Sequence, residues 1–236
     1  MVNFKREIQV DNQKFRNKWI SDKLQQIRQN IPDEGSLLDV GAGLSPYKEI
    51  IENLKIEYVS HDFNSYSPKR DDPGLQNDEW TYPKHSINCD ILEIPEIKKY
   101  DVVLCTEVLE HVPDPVRTFQ KLCNLVDYQG YVLISVPFLS LMHQSPYWYS
   151  SGLSPFWFEY WADEYKLEII ELTVSGDYID LMKQEAGRLL DVKYFPRILR
   201  YILPKTIEVF RYLSPSSVKE SGGFNTLCLL KNNSRN

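Results

Sequence analysis

Ser36-Leu37-Leu38-Asp39-Val40-Gly41-Ala42-Gly43-Leu44-Ser45 reads as an apolar strand that ends in a carboxylate and a glycine-rich turn. Gly41 and Gly43 let the backbone turn sharply and approach a bound molecule, and residues 45–53 read as the helix that follows such a turn. The dinucleotide fingerprint asks for a third glycine at the position held by Pro46, so a pyrophosphate ligand is disfavoured. Asp39, two residues before the first glycine, suits a ligand that carries positive charge and polar donors.

Working outward from this turn, apolar strand candidates lie at 36–40, 56–61, 86–90, 101–106 and 130–136, with helical stretches after the first and fourth. That alternation predicts an α/β fold with a doubly wound, mostly parallel sheet, in which ligands bind beyond the carboxyl ends of the strands. Ahead of it, Trp19, Ile20, Leu24, Ile27 and Ile31 are spaced as on an amphipathic helix over 17–31. The polar stretch between Phe63 and His85 reads as a long loop where a crossover helix would ordinarily lie. Residues 166–174 and 224–231 read as two further strands, separated by about fifty residues of helical character.

A chain of 236 residues with 42% hydrophobic composition can bury a sizeable core, and a net charge of -6 argues against a nucleic-acid partner. Cys89, Cys105, Cys123 and Cys228 form no paired motif and read as reduced thiols. With no basic-then-apolar leader and no apolar run long enough to span a bilayer, the expected location is cytoplasmic.

The opening turn resembles motif I of the class I S-adenosylmethionine-dependent methyltransferases, whose acidic residue and glycines line the methionine and ribose of the cofactor. Asp62, ending the second strand roughly 20 residues after Asp39, fits a ribose-binding carboxylate or a strand-end turn former. Asp90, with Ile91 beside it, corresponds to the family's adenine contact; a helix N-cap is the alternative. The run from Tyr100 to Pro115 resembles the segment after the fourth strand of small-molecule methyltransferases of ubiquinone and menaquinone synthesis, and Gly130 to Phe138 resembles their fifth strand. The resemblance implies S-adenosyl-L-methionine as cofactor, held by Asp39, Gly41, Gly43, Asp62, Phe63, Asp90, Ile91 and Glu107. It also implies a seven-stranded sheet with an antiparallel last strand. One domain over 1–236 is expected: a helical cover (1–34), the cofactor-binding core (35–175), a helical insertion (176–222), and the last strand with its tail (223–236).

Glu107, Glu110 and His111 stand at i, i+3 and i+4, which on a helix places them on one face. His111, and His143 beyond the fifth strand, are candidates for the base that takes a proton from a hydroxyl nucleophile. In a second reading, Glu107, Glu110, His111 and His143 hold a divalent ion, as the resembling E-x-x-E-H face does in small-RNA 2'-O-methyltransferases. In a third, Glu110 and His111 only orient the next helix. The reading carried forward has no metal.

Residues 147–161 hold eight aromatics, of which Tyr147, Trp148 and Tyr149 precede a helical stretch and are the candidates for a substrate wall. The expected reaction is methyl transfer to a hydroxyl of a small molecule or glycan. A nicotinamide oxidoreductase and a non-catalytic cofactor-binding or scaffold protein are the alternatives. Six basic residues against two acidic ones between Arg188 and Arg211, among them Arg197, Arg200 and Lys205, open two readings of the insertion: peripheral membrane contact, or a lid or homodimer surface.

Overall fold

The computed structural model describes residues 4–8, 10–69, 72–75, 80–191, 196 and 198–234. Its strands are β1 (Lys5–Glu7), β2 (Ser36–Val40), β3 (Glu57–Asp62), β4 (Ile87–Asn88), β5 (Tyr100–Thr106), β6 (Val126–Pro137), β7 (Leu167–Ser175) and β8 (Asn225–Asn232). They form one sheet in the order β1-β7-β8-β6-β5-β2-β3-β4, in which β8 runs antiparallel to both neighbours and the other pairs are parallel. The chain leaves β2 for β3 on one side and returns to β5 on the other, which opens a crevice at the carboxyl ends of β2 and β5.

The sheet has eight strands where the sequence predicts seven. The extra one, β1, is three residues long, too short for a period-two pattern to register. It lies parallel to β7 with Lys5 opposite Thr173, and Arg6 anchors it by donating to the carbonyls of Gly176 (2.9 Å) and Gly222 (2.6 Å).

Alternation along the strands divides the core into two layers. Leu37, Val102, Leu104, Leu133, Leu227 and Leu229 face α1 (Asn12–Ile27) and α2 (Lys48–Asn53), where Trp19, Ile20, Leu24 and Ile51 are buried. Leu38, Val40, Val103, Cys105, Val132, Ile134 and Leu230 face α3 (Pro115–Leu125) and α4 (Pro155–Glu164) through Phe119, Leu122 and Phe158. Cys105, Cys123 and Cys228 are buried free thiols and Cys89 is a half-buried one.

α1 begins five residues before the expected helix because Asp11 caps it, accepting from the Lys14 amide at 3.1 Å. α2 begins later than expected, since Ser45 takes a left-handed φ of 56° and cannot start a helix. Among the described residues, 63–86 contain no helix, as the loop reading expects. This loop is tied across the molecule: Leu75 pairs with His143, its amide donating to the Met142 carbonyl (2.9 Å) and its carbonyl accepting from the Gln144 amide (3.0 Å).

Between β7 and β8 come α5 (Tyr178–Asp191), α6 (Leu199–Leu213) and α7 (Ser216–Lys219). Buried Arg211 of α6 is gripped by Asp177 and Asp180 and also bonds Glu208 at 2.7 Å. Arg197 and the side chain of Arg200 lie outside the described residues.

Candidate active site

The glycine turn after β2 is built as its residues demand. Gly41 (φ 69°) and Gly43 (φ 52°) are both left-handed, and a Cβ at Gly41 would stand 2.4 Å from Val108 Cγ2. Three backbone N–H groups bind the turn to the end of β3: Gly41 donates to His61 Nδ1 (3.4 Å), Ala42 to the His61 carbonyl (2.8 Å) and Gly43 to Asp62 Oδ2 (2.9 Å). Asp62 Oδ1 accepts from the Asn64 amide (2.9 Å), so both carboxylate oxygens are oriented and each keeps a lone pair. His61 donates from Nε2 to the Cys89 carbonyl at 3.0 Å, which ties the turn to the end of β4. Sequence reading passed over His61 because a buried strand histidine carries no pattern of its own.

Asp39 lies beneath the turn rather than at its mouth. It is sealed from solvent, its Oδ2 accepts the Tyr58 hydroxyl at 2.7 Å, and burial pushes its carboxyl up to about 7. Asp90 is exposed and accepts from the Leu92 amide at 2.8 Å as the cap of a short helical turn over Ile91–Glu93, while Ile91 is buried in the core. Phe63 is exposed and meets Tyr147 edge-on at 5.1 Å. Above Gly43 stands Trp80, the middle of a row in which Tyr66 (5.8 Å) and Tyr82 (6.0 Å) meet it edge-on. The 63–86 loop thereby closes over the glycine turn, a contact that the sequence did not signal.

Glu107, Glu110 and His111 do not share a helical face. Glu107 takes a left-handed φ of 56° at the end of β5, and only Leu109–His111 form a tight helical turn. Glu107 turns toward β6, β8 and α1: Oε1 accepts from Ser135 Oγ (2.9 Å) and Asn225 Nδ2 (2.7 Å), and Oε2 pairs with Arg16 Nη1 at 2.8 Å. Glu110 goes the other way and is fully buried. Neither of its carboxylate oxygens has a hydrogen-bond partner, and burial raises the carboxyl well above the usual range.

His111 donates from Nδ1 to the Tyr147 carbonyl, and its Nε2 lies 3.7 Å from Glu110 Oε1. Burial lowers its basicity to about 4. His143 meets the His111 ring edge-on at 4.8 Å and donates from Nδ1 to the Leu141 carbonyl, which leaves Nε2 unprotonated in the neutral ring. Ligand atoms of Glu110, His111 and His143 lie within 4.8 Å of one another; Glu107 is not part of this group.

A cleft of about 1360 Å³ lies between the α1 entrance, the end of β6, and α5 with α6. Glu107, Arg16 and Asn225 reach it from the sheet side, His143 and Gln144 from the β6 loop, and Lys183, Gln184, Glu208 and Tyr212 from the insertion. Among the described residues its Arg and Lys side chains are matched by carboxylates: Arg16 with Glu107, Lys183 with Glu208 (2.7 Å) and Arg188 with Glu185 (2.8 Å). Tyr147, Trp148, Tyr149 and His111 do not line this cleft. Tyr147 turns to Phe63, and the Tyr149 amide bonds the Glu110 carbonyl at 2.9 Å.

A glycine turn on a doubly wound sheet, an oriented carboxylate after the second core strand and an antiparallel last strand define the class I methyltransferase architecture. A family model described as a methyltransferase domain matches residues 12–187, and the chain belongs to that family, the class I S-adenosylmethionine-dependent methyltransferases. The ubiquinone biosynthesis O-methyltransferase of Leptothrix cholodnii is 30% identical over 111 residues, 47% of this chain and 45% of that protein. Its counterpart in Shewanella sp. is 53% identical over 36 residues, 15% of each chain. The matched segments therefore span less than half the length of either relative. The crystal structure of a SAM-dependent methyltransferase from Archaeoglobus fulgidus shares the fold with a TM-score of 0.54 at 16% identity, over 91% of this chain and 94% of that one.

The turn fits the cofactor of this class. Gly41 and Gly43 hold the left-handed backbone of the turn, with Val108 and Trp80 filling the space their side chains would take, and Asp62 offers lone pairs beyond those used by the backbone.

Proposed function

We propose that the protein transfers a methyl group to a hydroxyl of a neutral, polar small molecule or glycan. The observation that carries this reading is the make-up of the cleft: it is lined by hydrogen-bonding groups, and the cations among its described residues are already neutralised, so a polyhydroxylated acceptor suits it better than an anion. S-adenosylmethionine, when bound, supplies an electrophilic methyl group. Gly41 and Gly43 shape the turn that receives it, and Asp62 accepts the ribose hydroxyls. Asp39 supports the turn from below through Tyr58.

His143 is the proton acceptor in this reading, because it lines the cleft and its Nε2 is not the nitrogen held by the Leu141 carbonyl, whereas His111 lies outside the cleft lining with depressed basicity. Most of the rate enhancement comes from holding the hydroxyl in line with the methyl group, an effect that reaches about 7 to 11 kcal/mol at its limit. The test is calorimetric titration with S-adenosylmethionine, then methyl incorporation into a panel of hydroxylated, amino and carboxylate acceptors. Transfer confined to amines or carboxylates, or binding without any turnover, would overturn the reading.

A second reading is favoured by one observation, the buried unpartnered carboxyl of Glu110 beside two imidazoles. Glu110, His111 and His143 would then hold a divalent cation that acidifies the acceptor hydroxyl. Activity that survives chelation and is indifferent to added Mg or Mn would dismiss it.

A further inference from the structure

α6 is amphipathic in the reverse of the usual sense. At 100° per residue, Ile207 and Arg211 fall on the inward side, where Arg211 is locked to Asp177 and Asp180. The outward half of the helix carries Ile198, Ile202, Val209 and Leu213 along its centre, with Tyr201 and Tyr212 on one border and Phe210 on the other. All seven are exposed, from 50% for Ile202 to 83% for Tyr212. Among the described side chains, the one charged group on this half is exposed Lys205. A helix placed this way holds its apolar face away from the protein through a buried ionic anchor, so the exposure is built in.

We propose that this face docks the protein on an anionic bilayer surface, with α6 lying in the headgroup plane. No described helix is long and apolar enough to cross a membrane. An apolar centre with tyrosines along one border is the composition of an interfacial helix. The charge is complementary: Lys205 sits on the face, and the sequence just ahead of the helix carries Lys193 and Arg197 against Asp191, in a chain whose net charge is -6. A second copy is the poorer occupant, since a two-fold contact centred on this face would bring Lys205, midway along the helix, up to its own image. α6 also forms one wall of the cleft through Pro204, Glu208 and Tyr212, so docking sets the cleft beside the bilayer. The inference does not depend on which acceptor is methylated.

The test is co-sedimentation of the full chain with vesicles of phosphatidylcholine alone and with about 30% phosphatidylglycerol added, the range in which single basic residues measurably affect binding. The wild type is expected to pellet with the anionic vesicles and much less with the neutral ones. Lys205→Glu, a surface change outside the cleft, should cut partitioning roughly tenfold or more, because it reverses one charge at the surface. Ile202→Ser/Val209→Ser/Leu213→Ser should abolish it while circular dichroism and S-adenosylmethionine binding stay as in the wild type. A wild-type chain that remains in the supernatant with anionic vesicles overturns the proposal. So does a dimer in sedimentation velocity that the triple variant dissociates, since the face would then belong to a second copy.

Discussion

Arg16 of α1 and Glu107 at the end of β5 meet at 2.8 Å, and the pair joins the helical cover of the sheet to the floor of the cleft. Glu107 holds three groups from three elements at once and is kept in a left-handed conformation by them. Arg16→Ala should leave a half-buried carboxylate without its counter-ion and lower stability by about 1 to 3 kcal/mol, below the cost of breaking a fully buried pair because both side chains keep some solvent contact. Urea unfolding of Arg16→Ala, Glu107→Gln and the double variant would measure the coupling. Strict additivity would show that the pair contributes nothing.

Asp62→Ala removes the acceptor for the Gly43 and Asn64 amides together with the carboxylate facing the cofactor side. We expect S-adenosylmethionine affinity to fall at least tenfold, about 1.4 kcal/mol. Asp62→Asn should retain part of it. Calorimetry gives the answer, and unchanged affinity in Asp62→Ala would place the cofactor elsewhere.

The two glycines should respond differently to alanine. At Gly41 the added Cβ meets Val108 at 2.4 Å in a left-handed backbone, and the combined clash and strain should cost about 2 to 4 kcal/mol. At Gly43 the contact is the Trp80 ring edge at 3.2 Å, which can shift, so about 1 kcal/mol of backbone strain should dominate. Thermal unfolding of both variants would show whether Gly41→Ala is the more damaging.

Asp39 implies a pH dependence. Its carboxyl is near 7 in the folded chain and 3.8 as a free group, so between those values the native state holds a proton that the unfolded state has lost. Stability contributed by the protonated form is complete below pH 4 and is lost as pH rises toward 7, by an amount on the order of 4 kcal/mol. Asp39→Asn should flatten that part of the stability profile. A variant whose profile between pH 4 and 7 matched the wild type would show that Asp39 ionises normally.

Arg211→Ala should take the guanidinium away from two buried carboxylates and loosen α5 and α6, a local loss of about 3 kcal/mol. Hydrogen exchange should rise over residues 178–191 and 199–213 and stay unchanged in β2, β3 and β5. Cofactor binding should persist, because the glycine turn lies in a separate part of the fold. Uniform deprotection would mean that the insertion and core unfold as one unit.

Residues 36–45 were legible as a strand and a glycine turn because their chemistry is local: side-chain alternation and left-handed glycines are properties of neighbours in the chain. The same holds for the parallel core strands and the buried faces of α1 and α3. The sequence was silent where the outcome depended on partners distant in the chain. Glu107, Glu110 and His111 have helical spacing, but Asn225, 118 residues away from Glu107, helps to draw it off that face. β1 is too short to carry a pattern and exists only because β7 offers an unpaired edge. α6 shows the same division most plainly. Its periodicity determines that one side is apolar, yet only the tertiary structure decided that this side faces outward, because burying Arg211 against Asp177 and Asp180 fixed the helix's rotation.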